Sequence, residues 1–158
     1  MKEIKLTQGK VALVDDDDYE YLNQFKWTLK TWSKSNSLYA VRYKKINGEY
    51  RVIPMHRVIM NTPIGLEVDH KDHNGLNNQK CNLRNCTHSD NIRNRRPSKT
   101  GTSKYLGVSY VTVRGNRYIT AHCGKINLGY FDTEENAAKA YLDYADSVYG
   151  EFINNKKY

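Results

Sequence analysis

Apolar and alternating runs in the first third of the chain predict short β-strands. Residues 10–14 form an apolar, β-branched run, and residues 37–43 and 49–53 form two further runs on either side of Asn47-Gly48. β-Branched residues favour strands, and Asn-Gly suits a type I′ turn because both central positions of that turn need positive φ. The pattern therefore predicts a β-hairpin across residues 37–53, preceded by short strands.

Two short helices are predicted beside these strands. Residues 15–18 are four consecutive aspartates, and acidic groups stabilise the solvated first turn of a helix. Consecutive side chains point in different directions on a regular backbone, so the four carboxylates do not predict a metal site. Residues 55–60 predict a second short helix, which stops before Pro63.

The last third of the chain predicts three strands followed by one helix. Strand-like runs occupy residues 105–111, 117–123 and 126–131, with turns predicted at Gly115-Asn116 and Gly124-Lys125. A three-stranded sheet covered by one helix is a minimal two-layer domain.

Capping residues and an apolar stripe predict the bounds of that helix. Asp132 is a suitable N-cap with Glu135 three residues later, and Gly150 is a suitable end. The stripe at helical spacing comprises Ala137, Tyr141, Tyr144, Ala145 and Val148.

The middle of the chain is polar and predicts a site and a linker. Residues 61–86 are rich in Asn, Asp, His and Gly, which favours a loop-rich site. Residues 93–104 carry five basic residues and no acidic one. We therefore predict an α+β protein with a domain at 1–96 (a strand-rich part at 1–54 and a core at 55–96), a basic linker at 97–103 and a second domain at 104–158.

Composition narrows the class of partner. The chain has 158 residues and a formal net charge of +8, which suits a polyanion such as DNA or RNA. It contains neither an apolar run of membrane-spanning length nor the apolar core of a signal peptide, so a cytoplasmic location is expected. The odd count of three cysteines argues against a disulfide framework. Cys81 and Cys86 have a spacing that zinc ligands use, but reduced thiols are the simpler interpretation.

One constellation in the polar segment combines oxygen donors for a hard cation with a candidate general base. Asp69-His70 is followed by Asn82, twelve positions after the histidine, and then by Asn91, nine positions later. Carboxylate and amide oxygens suit Mg²⁺, and an imidazole with a near-neutral pKa suits a general base. Thr87 and Asp90 predict the start of the helix that carries Asn91.

This constellation resembles the HNH nuclease family, in particular its phage and mobile-intron branch. The resemblance extends upstream through Met55-His56-Arg57 and covers most of residues 1–96. It implies a ββα-metal fold in which Asp69 and Asn91 hold one divalent ion, Mg²⁺ or Mn²⁺. It further implies that His70 activates water and that Asn82 braces the loop that orients His70. The basic residues expected to meet DNA are Arg84, Arg93, Arg95 and Arg96.

Three positions in and around the motif need separate interpretation. The third motif position is Asn91 rather than the histidine that names the family, and asparagine still offers an oxygen ligand. His73 stands in a turn where relatives often carry glycine, and we expect it to be exposed to solvent. His56 is expected to be a buried, hydrogen-bonded structural residue.

Residues 104–158 resemble the Apetala-two/ethylene-response-factor DNA-binding domain. The resemblance lies in residues 104–108, the run at 128–141 and residues 149–152. It implies a sheet that enters the major groove, where all base pairs are distinguishable. Leu106, Ser109 and Asn127 replace residues of the plant signature, so most of its base-reading set is absent. The remaining candidates are Arg114, Arg117, Tyr118 and Lys125, with Tyr110 and Asn127 beside them.

These features together predict a metal-dependent DNA endonuclease of homing or phage type, working in a bacterial or phage-infected cell. The first domain would cut double-stranded DNA, and the second would add affinity through a short linker. One site per chain predicts nicking unless two copies assemble as a homodimer. Two alternatives stay open: a non-catalytic, sequence-specific DNA-binding regulator, and a nuclease directed at RNA.

Overall fold

The computed structural model describes residues 1–32, 37–95, 97 and 101–153, and it has the mixed α+β architecture that the sequence predicts. The chain packs into two compact units, Met1–Asn91 and Ile92–Tyr158. In these described ranges no helix is long and apolar enough to cross a membrane. Arg96 and residues 98–100 of the predicted linker lie outside the described residues.

Three small antiparallel sheets form most of the first unit, in the strand orders β1-β2, β3-β4-β5 and β6-β7. The strands are β1 (Lys2–Lys5), β2 (Val11–Val14), β3 (Thr28–Thr31), β4 (Leu38–Ile46), β5 (Glu49–Pro54), β6 (Glu67–His70) and β7 (Leu83–Cys86). The helices are α1 (Asp16–Leu22), α2 (Met55–Ile59) and α3 (His88–Arg93).

The core of the first unit is assembled from every second residue of its short strands. Ile4 of β1 and Ala12 and Val14 of β2 are buried, because successive side chains of a strand point to opposite faces. Leu22 of α1 and Trp27 close the cluster, and the indole Nε1–H of Trp27 donates to the Leu22 carbonyl at 2.8 Å.

Several predictions for this unit are confirmed. Asn47 and Gly48 have φ values of 49° and 85°, and Ile46 pairs with Glu49 around them, as a two-residue hairpin turn requires. Three aspartates occupy the first turn of α1, and α2 covers most of the second predicted helix. Strand β3 had no separate prediction.

The second unit is a three-stranded antiparallel sheet packed on one helix. The strands are β8 (Val108–Val113), β9 (Asn116–Cys123) and β10 (Ile126–Phe131), in the order β10-β9-β8, and the helix is α4 (Glu134–Tyr149). The buried residues between the two layers include Val108 and Ala121 of the sheet and Ala137, Tyr141 and Ala145 of the helix. Gly107 has a φ of 76°, and a Cβ there would lie 2.1 Å from the Tyr141 ring, so only glycine allows this close approach.

Two predicted boundaries in this unit are wrong by one residue. The first turn lies at Arg114-Gly115, with φ values of 51° and 84°, because Val113 pairs with Asn116. The helix N-cap is Thr133 rather than Asp132, since the Thr133 hydroxyl accepts the backbone N–H of Asn136 at 3.2 Å.

The far end of α4 differs from the predicted stripe in one place. Gly150 ends the helix with a φ of 53°, as predicted. Val148, predicted to lie on the apolar stripe, is 53% exposed, and the neighbouring Tyr149 packs against the core instead.

Candidate active site

The hairpin β6–β7 and helix α3 position the four motif residues. Asp69 and His70 end β6, Asn82 immediately precedes β7, and Asn91 lies on α3. The predicted start of that helix is confirmed, because Thr87 and Asp90 cap each other: the Thr87 hydroxyl donates to Asp90 Oδ2 at 2.7 Å and accepts the Asp90 backbone N–H at 3.2 Å.

Asn82 holds the loop that follows His70. Its Oδ1 accepts the Asp72 backbone N–H at 3.0 Å, and its Nδ2 donates to Asp72 Oδ1 at 3.0 Å and to the Asn77 carbonyl at 2.8 Å. Burial alone would raise the pKa of Asp72, but hydrogen bonds from Asn77, Asn74 and Asn82 keep it below its ordinary value. Asn82 therefore has the geometry of a loop brace.

The same loop is tied to the N-terminal strands. Leu13 in β2 donates its backbone N–H to the Leu76 carbonyl, and its carbonyl accepts the Asn78 backbone N–H, each at 2.8 Å. Asp15 Oδ2 accepts the Lys80 backbone N–H at 2.8 Å, and the Lys80 ammonium pairs with Asp18 at 2.8 Å. The aspartate cluster thus anchors the site loop as well as starting α1.

Arg84 is the cross-strand partner of Asp69, and both side chains are buried. The Nε and Nη2 atoms of Arg84 lie 2.8 and 2.6 Å from Asp69 Oδ2. A buried guanidinium offsets the cost of burying a carboxylate. The structure thus places Arg84, predicted as a DNA contact, against the proposed metal ligand, with 8% of its surface exposed.

The His70 ring is enclosed by aromatic side chains. Its centroid lies 5.8 Å from that of Tyr39 and 5.1 Å from that of His56. Burial lowers the pKa of His70, and the Asn78 side chain and the charges of Asp72 and Asp69 oppose that shift. A lowered pKa keeps the imidazole neutral at physiological pH, the state that accepts a proton.

His56 is largely enclosed, as predicted, but within the ranges that the structure describes the hydrogen bond expected for it is not found at its Nδ1. Burial, with the neighbouring His70, lowers its pKa to about 3. Its Nδ1 has no hydrogen-bond partner among the described residues. The ring instead packs edge-on against Tyr39 at 5.7 Å.

A cavity of about 120 Å³ lies beside these residues. It is lined by Ser37, Tyr39, Val68, Asp69, His70, His73, Gly75 and Asn91. His73, predicted to be exposed, is partly buried and takes a left-handed φ of 61°, a conformation that glycine adopts most easily.

Glu67 is a site residue that the sequence analysis missed. Its Oε2 accepts Asn91 Nδ2 at 2.6 Å, and its Oε1 lies 2.8 Å from His88 Nδ1. The hydrogen bond from Asn91 lowers the pKa of Glu67, which stays ionised. Glu67 and Asp69 are two residues apart on β6 and share a face, so strand periodicity was the available signal.

The donor set suits a hydrated hard cation rather than zinc. Asp69 and Asn91 line one cavity, and Mg²⁺ needs only one or two protein oxygens because it keeps several waters. No group of three or more His, Cys, Asp or Glu side chains that could hold a metal is present in the part of the chain that the structure describes. Burial raises the pKa of Cys86 to about 11, so its thiol stays protonated.

The predicted DNA contacts of the second unit are spread over different surfaces. The Arg93 guanidinium lies 4.2 Å from the Tyr149 ring centroid, and Arg95 is exposed. Arg96 lies outside the described residues. Arg114 and Lys125 are exposed, each in one of the two sheet turns.

Arg117 and Tyr118 point to opposite faces of the sheet because they are consecutive in β9. The Arg117 guanidinium lies 3.9 Å from the Tyr110 ring, on the face that also carries Ile119 and packs on α4. Tyr118 lies on the other face, 5.6 Å from the Tyr130 ring. One binding surface therefore cannot use both residues through the same face.

Comparison with known proteins gives one informative relative. The chain is 31% identical to an uncharacterized HNH endonuclease of Acanthamoeba polyphaga mimivirus, over an alignment covering 95% of this chain and 76% of the relative. No family model matches the chain. No solved structure matches it.

Proposed function

Because the chain belongs to the HNH endonuclease family, we propose that it is a metal-dependent endonuclease that hydrolyses phosphodiester bonds in double-stranded DNA. The observation that carries this proposal is the convergence of Asp69, His70 and Asn91 on one cavity. A loop braced by Asn82 holds the histidine in place.

The strands β6 and β7 and helix α3 are the ββα-metal element of this proposal. Asp69 and Asn91 would hold the divalent ion, Mg²⁺ or Mn²⁺, as oxygen donors lining one cavity. When bound, such an ion neutralises phosphate charge and stabilises the departing oxygen. Glu67 orients Asn91 through its amide nitrogen, which directs the amide oxygen away from Glu67.

His70 is the proposed general base. Its neutral ring takes a proton from water as the water oxygen forms a bond to phosphorus and the ester P–O bond breaks, and the departing oxygen then acquires a proton from solvent. Asn82 and Asn78 keep the loop and the ring in place. Tyr39 and His56 limit water around the ring, which preserves its neutral form.

The second unit is proposed to add DNA affinity as a module of the Apetala-two type. Its exposed Arg114 and Lys125, with the net charge of the chain, support contact with phosphates. In this proposal the protein is a homing-type or phage-encoded enzyme of the cytoplasm, and it makes single-strand nicks unless two copies form a homodimer.

Incubation with supercoiled plasmid tests the activity directly. We expect nicked circles with Mg²⁺ or Mn²⁺ and none with EDTA. The His70→Ala variant should lose cleavage, whereas the matched His122→Ala variant, altered in the other unit, should retain it. Linear product appearing together with nicked product would indicate a dimer, and unchanged plasmid in all lanes would refute the proposal.

A non-catalytic DNA-binding regulator is the second candidate. The observation that favours it is the Arg84–Asp69 ion pair, which already neutralises the proposed metal ligand. In that case the plasmid would stay supercoiled with either metal while salt-dependent duplex binding persisted.

A further inference from the structure

One face of the sheet β3-β4-β5 carries aromatic and basic side chains that the proposed chemistry does not use. We call these residues the aromatic-basic strip: Lys30, Trp32, Tyr43, Lys45 and Tyr50. All five belong to the first unit.

The strand register places the strip on the same face as Tyr39 of the active site. Lys30 pairs with Tyr39, and Lys45 pairs with Tyr50, and directly paired residues share a face. Tyr43 and Lys45 follow Tyr39 at even spacing along β4, so they project to the same side. The strip therefore shares a face with one wall of the cavity, and Val41, between Tyr39 and Tyr43 on that face, is buried.

Ring contacts make the strip continuous. The Trp32 and Tyr39 centroids are 5.3 Å apart. The Lys30 ammonium lies 5.3 Å from the Trp32 ring and 5.8 Å from the Tyr43 ring, so one cation bridges both aromatic groups.

The opposite face of the same sheet faces the protein core. Ala40 belongs to the buried cluster, and the Arg42 guanidinium stacks at 3.7 Å over Phe25. On the strip, by contrast, Trp32, Tyr43 and Tyr50 are 40%, 53% and 74% exposed. These large rings are therefore open to a partner.

The charge of the projecting hairpin selects an anionic partner. Residues 42–53 contain four basic side chains and one acidic one, Glu49. Glu49 forms an ion pair with Arg51 at 2.7 Å, and the strip itself contains no acidic residue.

We propose that the aromatic-basic strip is the surface on which the duplex DNA flanking the scissile phosphate lies. This inference rests on the proposed DNA cleavage. The ammonium groups of Lys30 and Lys45 and the hydroxyls of Tyr43 and Tyr50 contact phosphate oxygens, as such side chains commonly do. From Tyr39 to Lys45 the strand extends about 20 Å, which is the rise of about six base pairs along the axis of duplex DNA.

Adjacent lysines on β4 provide a matched test. Lys45 lies on the strip, whereas Lys44 pairs with Arg51 on the opposite face, and both are exposed. Each is changed to alanine in the full-length protein, and binding to a 30-base-pair duplex is measured by fluorescence anisotropy in EDTA across a range of salt concentrations. Thermal melting checks that both variants are folded.

We expect Lys45→Ala to bind several-fold more weakly, with a salt slope shallower by about 0.9, the value for one lost phosphate contact. Lys44→Ala should stay close to wild type. Tyr43→Ala should weaken binding in the same direction.

Three results would overturn the proposal. Equal losses for both lysine variants would mean that the hairpin contributes only diffuse charge. If Lys45→Ala loses affinity only for single-stranded DNA, the strip binds a single strand rather than a duplex. A wild-type protein that neither cuts plasmid nor binds duplex would refute the proposed function as well. If the wild type cuts plasmid but Lys44→Ala and Lys45→Ala have equal affinities for duplex DNA, only the proposed role of the strip is refuted.

Discussion

The two units of the molecule bury different kinds of side chain. In the first unit Asp69, His70, Asn78, Asn82 and Arg84 are each at most 8% exposed. The interior of the second unit is largely alanine, tyrosine and aliphatic side chains, and its basic residues Arg114, Arg117 and Lys125 are exposed.

In the proposed function, this difference separates chemistry from attachment. Burying ionised groups destabilises a fold unless they are paired and hydrogen-bonded, so their retention in a small unit supports a functional role for them. A unit that keeps its charge at the surface can attract a polyanion without strain in its core.

The largest expected effect is on the rate in the first unit. His70→Ala should lower the single-turnover cleavage rate by about two to four orders of magnitude, because it removes the proposed general base. Duplex affinity measured without metal should be unchanged. A folded variant that cuts at the wild-type rate would break the assignment of chemistry to this unit.

Arg84→Ala should produce the largest loss of stability. Removing one partner of a buried ion pair typically lowers the free energy of unfolding by about 3–5 kcal/mol. The Asp69 carboxylate then lacks the guanidinium, so added Mg²⁺ should restore more stability to this variant than to wild type. Chemical denaturation with and without Mg²⁺ measures both effects, and an equal response to Mg²⁺ would count against Asp69 as a ligand.

Asn82→Ala and Thr120→Val compare a buried polar group in each unit. Each polar group left without its partner costs about 1–3 kcal/mol of unfolding free energy. Asn82 serves Asp72 and Asn77, whereas the Thr120 hydroxyl donates to the Gly129 carbonyl at 3.0 Å. Both variants should be destabilised, but only Asn82→Ala should also slow cleavage at saturating DNA. If both variants cleave equally slowly, the two units do not differ in their contribution to cleavage.

Acid should destabilise the first unit through His56. Burial holds the pKa of His56 at about 3 against an ordinary 6.5. Between these values the unfolded chain binds more protons than the folded chain, so the free energy of unfolding falls as the pH drops below 6.5, by about 2 kcal/mol near pH 5. The lowered pKa of His70 acts in the same direction.

Urea unfolding at neutral and mildly acidic pH checks this prediction. His56→Gln should show a smaller decrease in stability on acidification than wild type. The same substitution at His88, whose side chain is 76% exposed, is the control. An unchanged pH dependence in His56→Gln would contradict the prediction.

The smallest effect is expected at the surface of the second unit. Arg117→Ala should weaken duplex binding uniformly across sequences, with a salt slope shallower by about 0.9 and an unchanged cleavage rate at saturation. A loss at one position of the target would instead indicate base readout. An unaltered salt slope would exclude a phosphate contact by this residue.

The sequence predicts which of these residues come together where the geometry is local. Asp69, His70 and Asn91 meet because a hairpin and the next helix bring together residues close in the chain, and the Thr87–Asp90 cap is equally local. Tyr39 and His56 reach His70 from a different strand and helix. Their approach depends on tertiary packing, which short-range periodicity does not encode.

Arg84 illustrates the same limit for charge. An arginine in a basic, polar segment suggests a surface contact, yet its position opposite Asp69 in the β6–β7 register buries it. Strand register would have had to be known before that pairing could be predicted. In the second unit the turn lies at Arg114-Gly115 rather than at the predicted Gly115-Asn116. The pairing of Val113 with Asn116 sets this position, and the preference of glycine for turns does not reveal it.

The backbone bonds from Leu13 to Leu76 and Asn78 make the motif hard to transplant. A gene segment starting at residue 55 would encode every motif residue but would lack the strand to which the site loop is joined. Peptide groups make these bonds, so substitutions at position 13 other than proline can preserve them. The side chains of β2 and of the site loop can therefore diverge freely. Recombination that separates the two segments would break these backbone bonds and would be selected against.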